Sequence, residues 1–458
     1  MSTLIIEGCS VAAMDGASHE DTGTEIRDGH VVVTDGVISA IGAGRPDPRA
    51  ANCTTIDGRG CLATPGLVNS HHHLYQWLTQ GMAQQSVLFD WLTELYPLWA
   101  RIDAEQVHAA ATAGLAALAL AGCSTSTDHH YIFPRSGDGG ARPGALEAEI
   151  DAAQQVGIRF HPCRGSMDLG HSAGGLPPDE VVEDTDAALA ATEDAIRRFH
   201  DPSRGAMVRI AVAPCSPFSV TPRLMREAAA LARRAGVRLH THLAETADED
   251  EYCLERFGCK PVAYLDSLGW LGPDVWLAHA VHLDDDAIGT LAAHGTGVAH
   301  CPWSNARLGA GICRTRALLD AGLAVGLGVD GAASNEASSL IGEVSAATHF
   351  ARAVGGPSAM SVREAVELGT LGGARLLGRE AEIGSLEAGK LADIALWRLD
   401  GPPHLGIADP VAALVLGPPP PLELLLVGGR AVVERDRVVT VDEARAERAA
   451  RDASASLP

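Results

Sequence analysis

The sequence predicts an α/β protein: a (β/α)8 TIM-like barrel carrying a small β-sandwich domain formed by both chain ends. Three observations carry this reading. Between about residues 62 and 333, eight apolar runs that end in polar residues alternate with Ala/Leu-rich stretches of helical spacing. The runs are near-continuously apolar, as strands covered by helices must be. The flanks are strand-rich, helix-poor and punctuated by Asp-Gly and Gly turns.

In chain order, 3–8 (TLIIEG), 30–35 (HVVVTD) and 37–42 (VISAIG) are short β-branched runs. Barrel strands are then expected at Leu62–Ser70, Gly122–His130, Arg159–Met167, Met207–Pro217, Val237–Glu245, Val275–Leu283, Gly295–Asn305 and Leu323–Gly331. Helices are expected at Glu105–Leu120, Asp184–Phe199, Pro222–Ala235 and Asp284–Ala293. Segments 383–397 and 424–440 return to strand around a Pro-rich loop over Pro402–Pro421, and Asp442–Pro458 reads as a charged, Ala-rich helix or frayed tail. The domains are therefore expected at 1–61 plus 384–441, at 62–383 and, as a tail, at 442–458. The alternative, an open doubly wound sheet, would place a glycine-rich phosphate turn after its first strand. Here that strand ends in Asn69-Ser70-His71-His72-His73.

The chain has 458 residues, 46% hydrophobic and 20% charged, which excludes a disordered chain. Its 35 Lys and Arg against 58 Asp and Glu give a net charge of −23. That balance argues against nucleic acid or an anionic membrane as partner, since both reward basic patches. No signal peptide or long apolar window is evident, so a cytoplasmic location is expected. Ten cysteines without a C-x-x-C pair read as reduced, buried apolar residues. A small-molecule enzyme is the favoured class, and 19 histidines direct attention to a metal.

Barrel enzymes place their chemistry at the C-terminal ends of the strands. There the expected strands present His71, His72 and His73; Asp128, His129 and His130; Arg164; His240, His242 and Glu245; His279 and His282; His300; and Asp330. Strand residues i and i+2 face the same way, so His71 and His73 can address one ion. A lone His-x-His is weak evidence, and satisfied core histidines are the plainer reading of any one pair. Adding His242 and Asp330 gives three neutral nitrogens and a carboxylate, a set suited to Zn2+ with one position left for water. Glu245, three residues after His242, can lie beside the ion and move a proton from water to a ring nitrogen. The alternative is a first-turn acid on the next helix.

Four stretches, Pro65-Gly66-Leu67-Val68-Asn69-Ser70-His71-His72-His73, His242-Leu243-Ala244-Glu245-Thr246, Leu277-Ala278-His279 and Gly328-Val329-Asp330-Gly331, resemble ordered motifs of the amidohydrolase superfamily. Within it they resemble the cytosine/guanine/adenosine-type deaminases with one metal. Residues 383–393 and Gly428-Gly429-Arg430 are similar to that family's small β domain. The resemblance implies one divalent ion, Zn2+ with Fe2+ as the alternative, on His71, His73, His242 and Asp330. It implies Glu245 as proton shuttle and His279 as a hydrogen-bonding partner of the nucleophile or substrate. Asp330 would be both ligand and orienting group for the attacking water.

His71-His72-His73-Leu74-Tyr75-Gln76, Asp128-His129-His130-Tyr131-Ile132-Phe133-Pro134 and Cys163-Arg164-Gly165-Ser166-Met167-Asp168 together resemble the 8-oxoguanine deaminase branch, neighbour to isoxanthopterin deaminases and hydroxytriazine aminohydrolases. In that branch Gln76 and Arg164 would recognise the base. An amide can donate to and accept from a heterocycle edge, and a guanidinium suits a carbonyl oxygen gaining negative charge. A solvated helix start and a surface ion pair are their plainer readings. The implied reaction is hydrolysis of an exocyclic amine on an amino-oxo heterocycle: 8-oxoguanine and water to urate and ammonia, a step of purine catabolism. The alternatives are an s-triazine amino- or chlorohydrolase and an isoxanthopterin or guanine deaminase.

Trp303, Arg307 and Trp77 are bulkier or more polar than that branch leads one to expect, and Trp303 is a candidate for stacking on the substrate ring. His129 is expected to contact substrate or position a neighbour. No bridging lysine or glutamate for a second metal stands in the fourth strand, Val208–Cys215. The expected partner is a small heterocyclic substrate, with a homo-oligomer as the expected assembly. An inactive, metal-stabilised scaffold is disfavoured because every expected ligand is present.

Overall fold

Eight parallel strands close into a barrel: Leu67–Asn69, Cys123–His130, Arg159–Ser166, Ala211–Pro214, Leu239–Leu243, Val275–His279, Gly297–His300 and Val325–Leu327. Each lies within one of the eight runs read from the sequence. The computed structural model describes residues 3–16, 23–46, 53–134 and 142–457. Closure is made by the last strand against the first, through Leu327 and Asn69. The barrel floor is apolar, with Ala211, Ala213 and Ala299 leaving room for the fully buried Trp276.

The helices begin where capping chemistry dictates. Asp103 and Gln106 form a reciprocal capping box at the start of Ala104–Leu120. Thr221 caps Pro222–Ala235, whose first residue, proline, costs no hydrogen bond there. Asp284 accepts from the Ala287 N–H at the start of Asp285–His294. The C-terminal helix Glu443–Ala455 packs back on the barrel, with the Ser454 hydroxyl donating to the Leu78 carbonyl (2.8 Å). Among the described residues, no helix is long and apolar enough to cross a membrane.

Both chain ends contribute to one nine-stranded sheet. Thr3–Ala12 pairs with Glu25–Thr34 on one side and with Cys53–Asp57 and Cys61–Pro65 on the other. Cys61–Pro65 then pairs with Ile394–Arg398, and Leu422–Val427, Arg430–Glu434 and Arg437–Val438 follow. Alternate residues serve two cores: Ile394 and Leu396 face the sheet's own core, while Ala395 and Trp397 join the barrel's.

The expected first barrel strand, Leu62–Ser70, is two strands. Cys61–Pro65 belongs to the end sheet and only Leu67–Asn69 to the barrel. Pro65 has no N–H to continue the ladder. After it, the Gly66 N–H goes to the Asp393 carbonyl in the sheet and the Leu67 N–H to the Gly122 carbonyl before the second barrel strand. A Cβ at Gly66 would lie 2.4 Å from the Ser124 hydroxyl oxygen, so only glycine fits the crossing.

Candidate active site

Beyond the barrel strands, His72–His73 and Asp330–Gly331 form a short parallel pair that extends the first and eighth strands upward. This places His71, His73 and Asp330 side by side, and the fifth and sixth strands bring His242, Glu245 and His279 to the same end. His279 (φ 71°), Asp330 (φ 60°) and Ala244 (φ 53°) occupy the left-handed region, at a cost of roughly 1–3 kcal/mol each for non-glycine residues. Strain is thus held at the strand ends that carry the polar groups.

Hydrogen bonds fix the histidine tautomers. His73 Nδ1 donates to the His129 carbonyl (2.8 Å) and His242 Nδ1 to the Cys215 carbonyl (2.7 Å), because a carbonyl can only accept. His240 Nδ1 donates to the Trp276 carbonyl (2.9 Å), so its Nε2 is an acceptor for His71 Nδ1 at 2.8 Å. The Nε2 atoms of His71, His73 and His242 therefore present lone pairs to one point. His73 Nε2 and His242 Nε2 lie 3.1 Å apart, His71 Nε2 and His73 Nε2 lie 3.4 and 3.3 Å from Asp330 Oδ1, and His71 Nε2 has no hydrogen-bond partner among the described residues.

Lone pairs facing lone pairs are tolerable only around a cation. Ligand bonds of about 2.0–2.1 Å in a tetrahedron give edges of about 3.3 Å, close to these separations. Burial holds His71, His73 and His242 below the usual histidine pKa, which keeps them neutral, as ligation requires. Burial opposes ionisation of Asp330, yet its contacts with His71, His279 and His73 hold it well below the usual carboxylate range. The Ser304 and Ser334 hydroxyls donate to its Oδ2 at 2.5 and 3.2 Å. The four residues fit one divalent ion.

Glu245 is buried 3.6 Å from His279 Nε2, and Asp330 Oδ2 is 3.9 Å from the same nitrogen. Burial pushes the Glu245 carboxyl up to about 7, against the pull of His279. An acid there can take and return a proton near neutrality. His279 Nδ1 contacts Asn305 Oδ1 at 2.9 Å, which orients the ring.

A narrow cavity opens onto these groups, lined among others by His73, His242, Glu245, His279 and Asp330. Gln76 lines it too, with its Oε1 buried and without a hydrogen-bond partner among the described residues. Its apolar wall is made by Leu88, Trp91, Leu92, Phe218 and Leu308. Most of that wall comes from the helix Leu88–Trp99, which strand-end reasoning does not reach; its signal in the sequence is a dense run of Leu and aromatic residues. Arg307 clasps the segment before it, donating to the Met82, Ala83 and Ala333 carbonyls and to Glu336.

Two residues expected at the substrate are not among those lining the cavity. The Arg164 guanidinium is buried in a bidentate pair with Glu183 (2.7 Å for each bond) and sits over the Phe133 ring, outside the cavity lining. Trp303 is 44% exposed, packs edge-on against Phe350 and donates its indole N–H to the Gly342 carbonyl. His129 is stacked on His242 with ring centroids 4.8 Å apart and donates from Nε2 to the Ala213 carbonyl, so it supports the His242 ring from behind.

The sequence matches the Amidohydrolase family over residues 62–432. It is 46% identical to 8-oxoguanine deaminase from Pseudomonas aeruginosa, covering 88% of each chain. It is 38% identical to isoxanthopterin deaminase from an unknown prokaryotic organism, over 96% of this chain and 94% of that one. Among solved structures, the zinc complex of atrazine chlorohydrolase from Arthrobacter aurescens superposes with a TM-score of 0.91 at 34% identity, covering 99% of this chain and 100% of the other.

Proposed function

The chain belongs to the amidohydrolase family and is a hydrolase; from that premise we propose that it deaminates an amino-oxo heterocycle, 8-oxoguanine before others, to urate and ammonia. The observation that carries the chemistry is the convergence of three imidazole lone pairs and Asp330 beside a buried Glu245 at the cavity. The relative at 46% identity supports the substrate.

A divalent ion, Zn2+ by the N3O donor set, would be held by His71, His73, His242 and Asp330 and would supply Lewis-acid activation of water. Glu245 is placed to accept a proton from the attacking water and to deliver it to the ring nitrogen next to the amine-bearing carbon. The water oxygen adds to this carbon. His279, between Glu245 and Asp330, holds the oxygen by hydrogen bond and keeps the two carboxyls apart. The C–N bond then breaks, the second water proton leaves with the amine as ammonia, and the ring carbon becomes a carbonyl. Gln76 offers its free Oε1 to a ring N–H, and the apolar wall covers the planar face.

A second reading is a triazine hydrolase. It is favoured by the leucine-rich wall, suited to N-alkyl groups, and by the pairing of Arg164 with Glu183, which leaves Gln76 without a guanidinium partner in the cavity. Product analysis separates the two: ammonia released from 8-oxoguanine, guanine, isocytosine and isoxanthopterin, against alkylamine released from N-alkyl hydroxytriazines. The highest kcat/KM is expected for 8-oxoguanine; turnover of triazines with none of any purine would overturn the proposal.

A further inference from the structure

Behind the site, Asp128 and His130 of the second barrel strand meet Glu149 of the helix Ala145–Val156, and all three are fully buried. Their hydrogen bonds can be counted. His130 Nε2 lies 2.8 Å from the Ile132 carbonyl and must carry a hydrogen, while Nδ1 lies 2.8 Å from Glu149 Oε1. Asp128 Oδ1 accepts the Leu74 N–H at 2.6 Å. Asp128 Oδ2 and Glu149 Oε2 have no donor among the described residues, and the two carboxyl groups are neighbours within the same cluster.

With both acids ionised and His130 neutral, acceptors would face acceptors and two buried charges would stand uncompensated, a costly state. Two protons complete the set. One lies between His130 Nδ1 and Glu149 Oε1 and one between Glu149 Oε2 and Asp128 Oδ2. The cluster then has no net charge and no orphan atom.

We propose that Asp128, Glu149 and His130 are positioning residues, a proton-sharing buttress that sets the turn carrying His71 and His73. The inference rests on the reading of those two histidines as metal ligands. The link is direct: Asp128 holds the Leu74 N–H, His72 Nδ1 accepts the His73 N–H at 2.8 Å, and the carbonyl of His129, between Asp128 and His130, receives His73 Nδ1. The strand end stiffened by the buttress therefore also fixes the tautomer of a ligand.

The test compares Glu149→Gln with Glu149→Met, reading Zn2+ affinity by chelator competition and metal content per chain. The Gln amide can donate to Asp128 and accept from His130, so affinity should stay within about threefold of wild type; Met fills the volume without either bond and should weaken binding about 10–100-fold. If Glu149→Met does not fold, Asp128→Asn against Asp128→Leu repeats the comparison, since Asn can accept from Leu74 and donate to Glu149. Wild-type affinity in the apolar variant would reduce the cluster to packing and overturn the proposal. A wild type holding two ions, one lost in Glu149→Gln, would overturn it in favour of a cation ligand. Stoichiometric metal in His73→Ala would instead refute the reading of the centre itself.

Discussion

At the scale of residues, the site depends on what is absent as much as on what is present. A Cβ at Gly331 would lie 1.8 Å from Gln76 Oε1, so glycine there is what admits the amide to the cavity. Gly331→Ala should push Gln76 aside and raise KM about tenfold, the worth of one hydrogen bond, with metal content unchanged. Steady-state kinetics with metal analysis checks this, and an unchanged KM would show that Gln76 does not touch substrate. The histidines were legible from sequence because a strand's two-residue period and the barrel's polarity decide where they point. Arg164 was not: its partner Glu183 is 19 residues downstream in an irregular segment, and no local pattern predicts that pairing.

At the scale of elements, strands and capped helices followed from local pattern, since apolar runs, Asp or Thr caps and N1 proline act within a few residues. The helix Leu88–Trp99 was not anticipated as a cavity wall because reasoning from strand ends does not reach it; its role comes from lining the cavity beside them. It is held there by the Trp91 indole N–H on the Ala333 carbonyl (3.2 Å) and by Arg307 just upstream. Arg307→Ala should free the segment before the helix. Proteolytic nicking between residues 80 and 87 is expected to quicken about tenfold, with far smaller change elsewhere. Equal rates for variant and wild type would remove Arg307 as the clasp.

At the scale of the whole molecule, a buried bidentate ion pair helps to join the end sheet to the barrel. Arg159, at the start of the third barrel strand, meets Asp393 of the sheet segment at 2.7 and 3.0 Å, and Asp393 also accepts the Gly428 N–H. Removing one partner leaves a buried charge, so Arg159→Ala should cost about 3–5 kcal/mol, read by urea unfolding. A loss below about 1 kcal/mol would mean the join rests on apolar packing instead. The pairing of both chain ends was visible in their matching strand-rich style. The partner switch at Pro65 and Gly66 was not, because a continuous apolar run conceals a change of sheet.

Metal content per purified chain tests the proposed centre most directly. Wild type and Glu245→Gln should each hold one divalent ion, with turnover in the variant lower by about 10²–10⁴, and His73→Ala should hold none. Stoichiometric metal in His73→Ala, or its loss from Glu245→Gln, would contradict the assignment of ligands and shuttle.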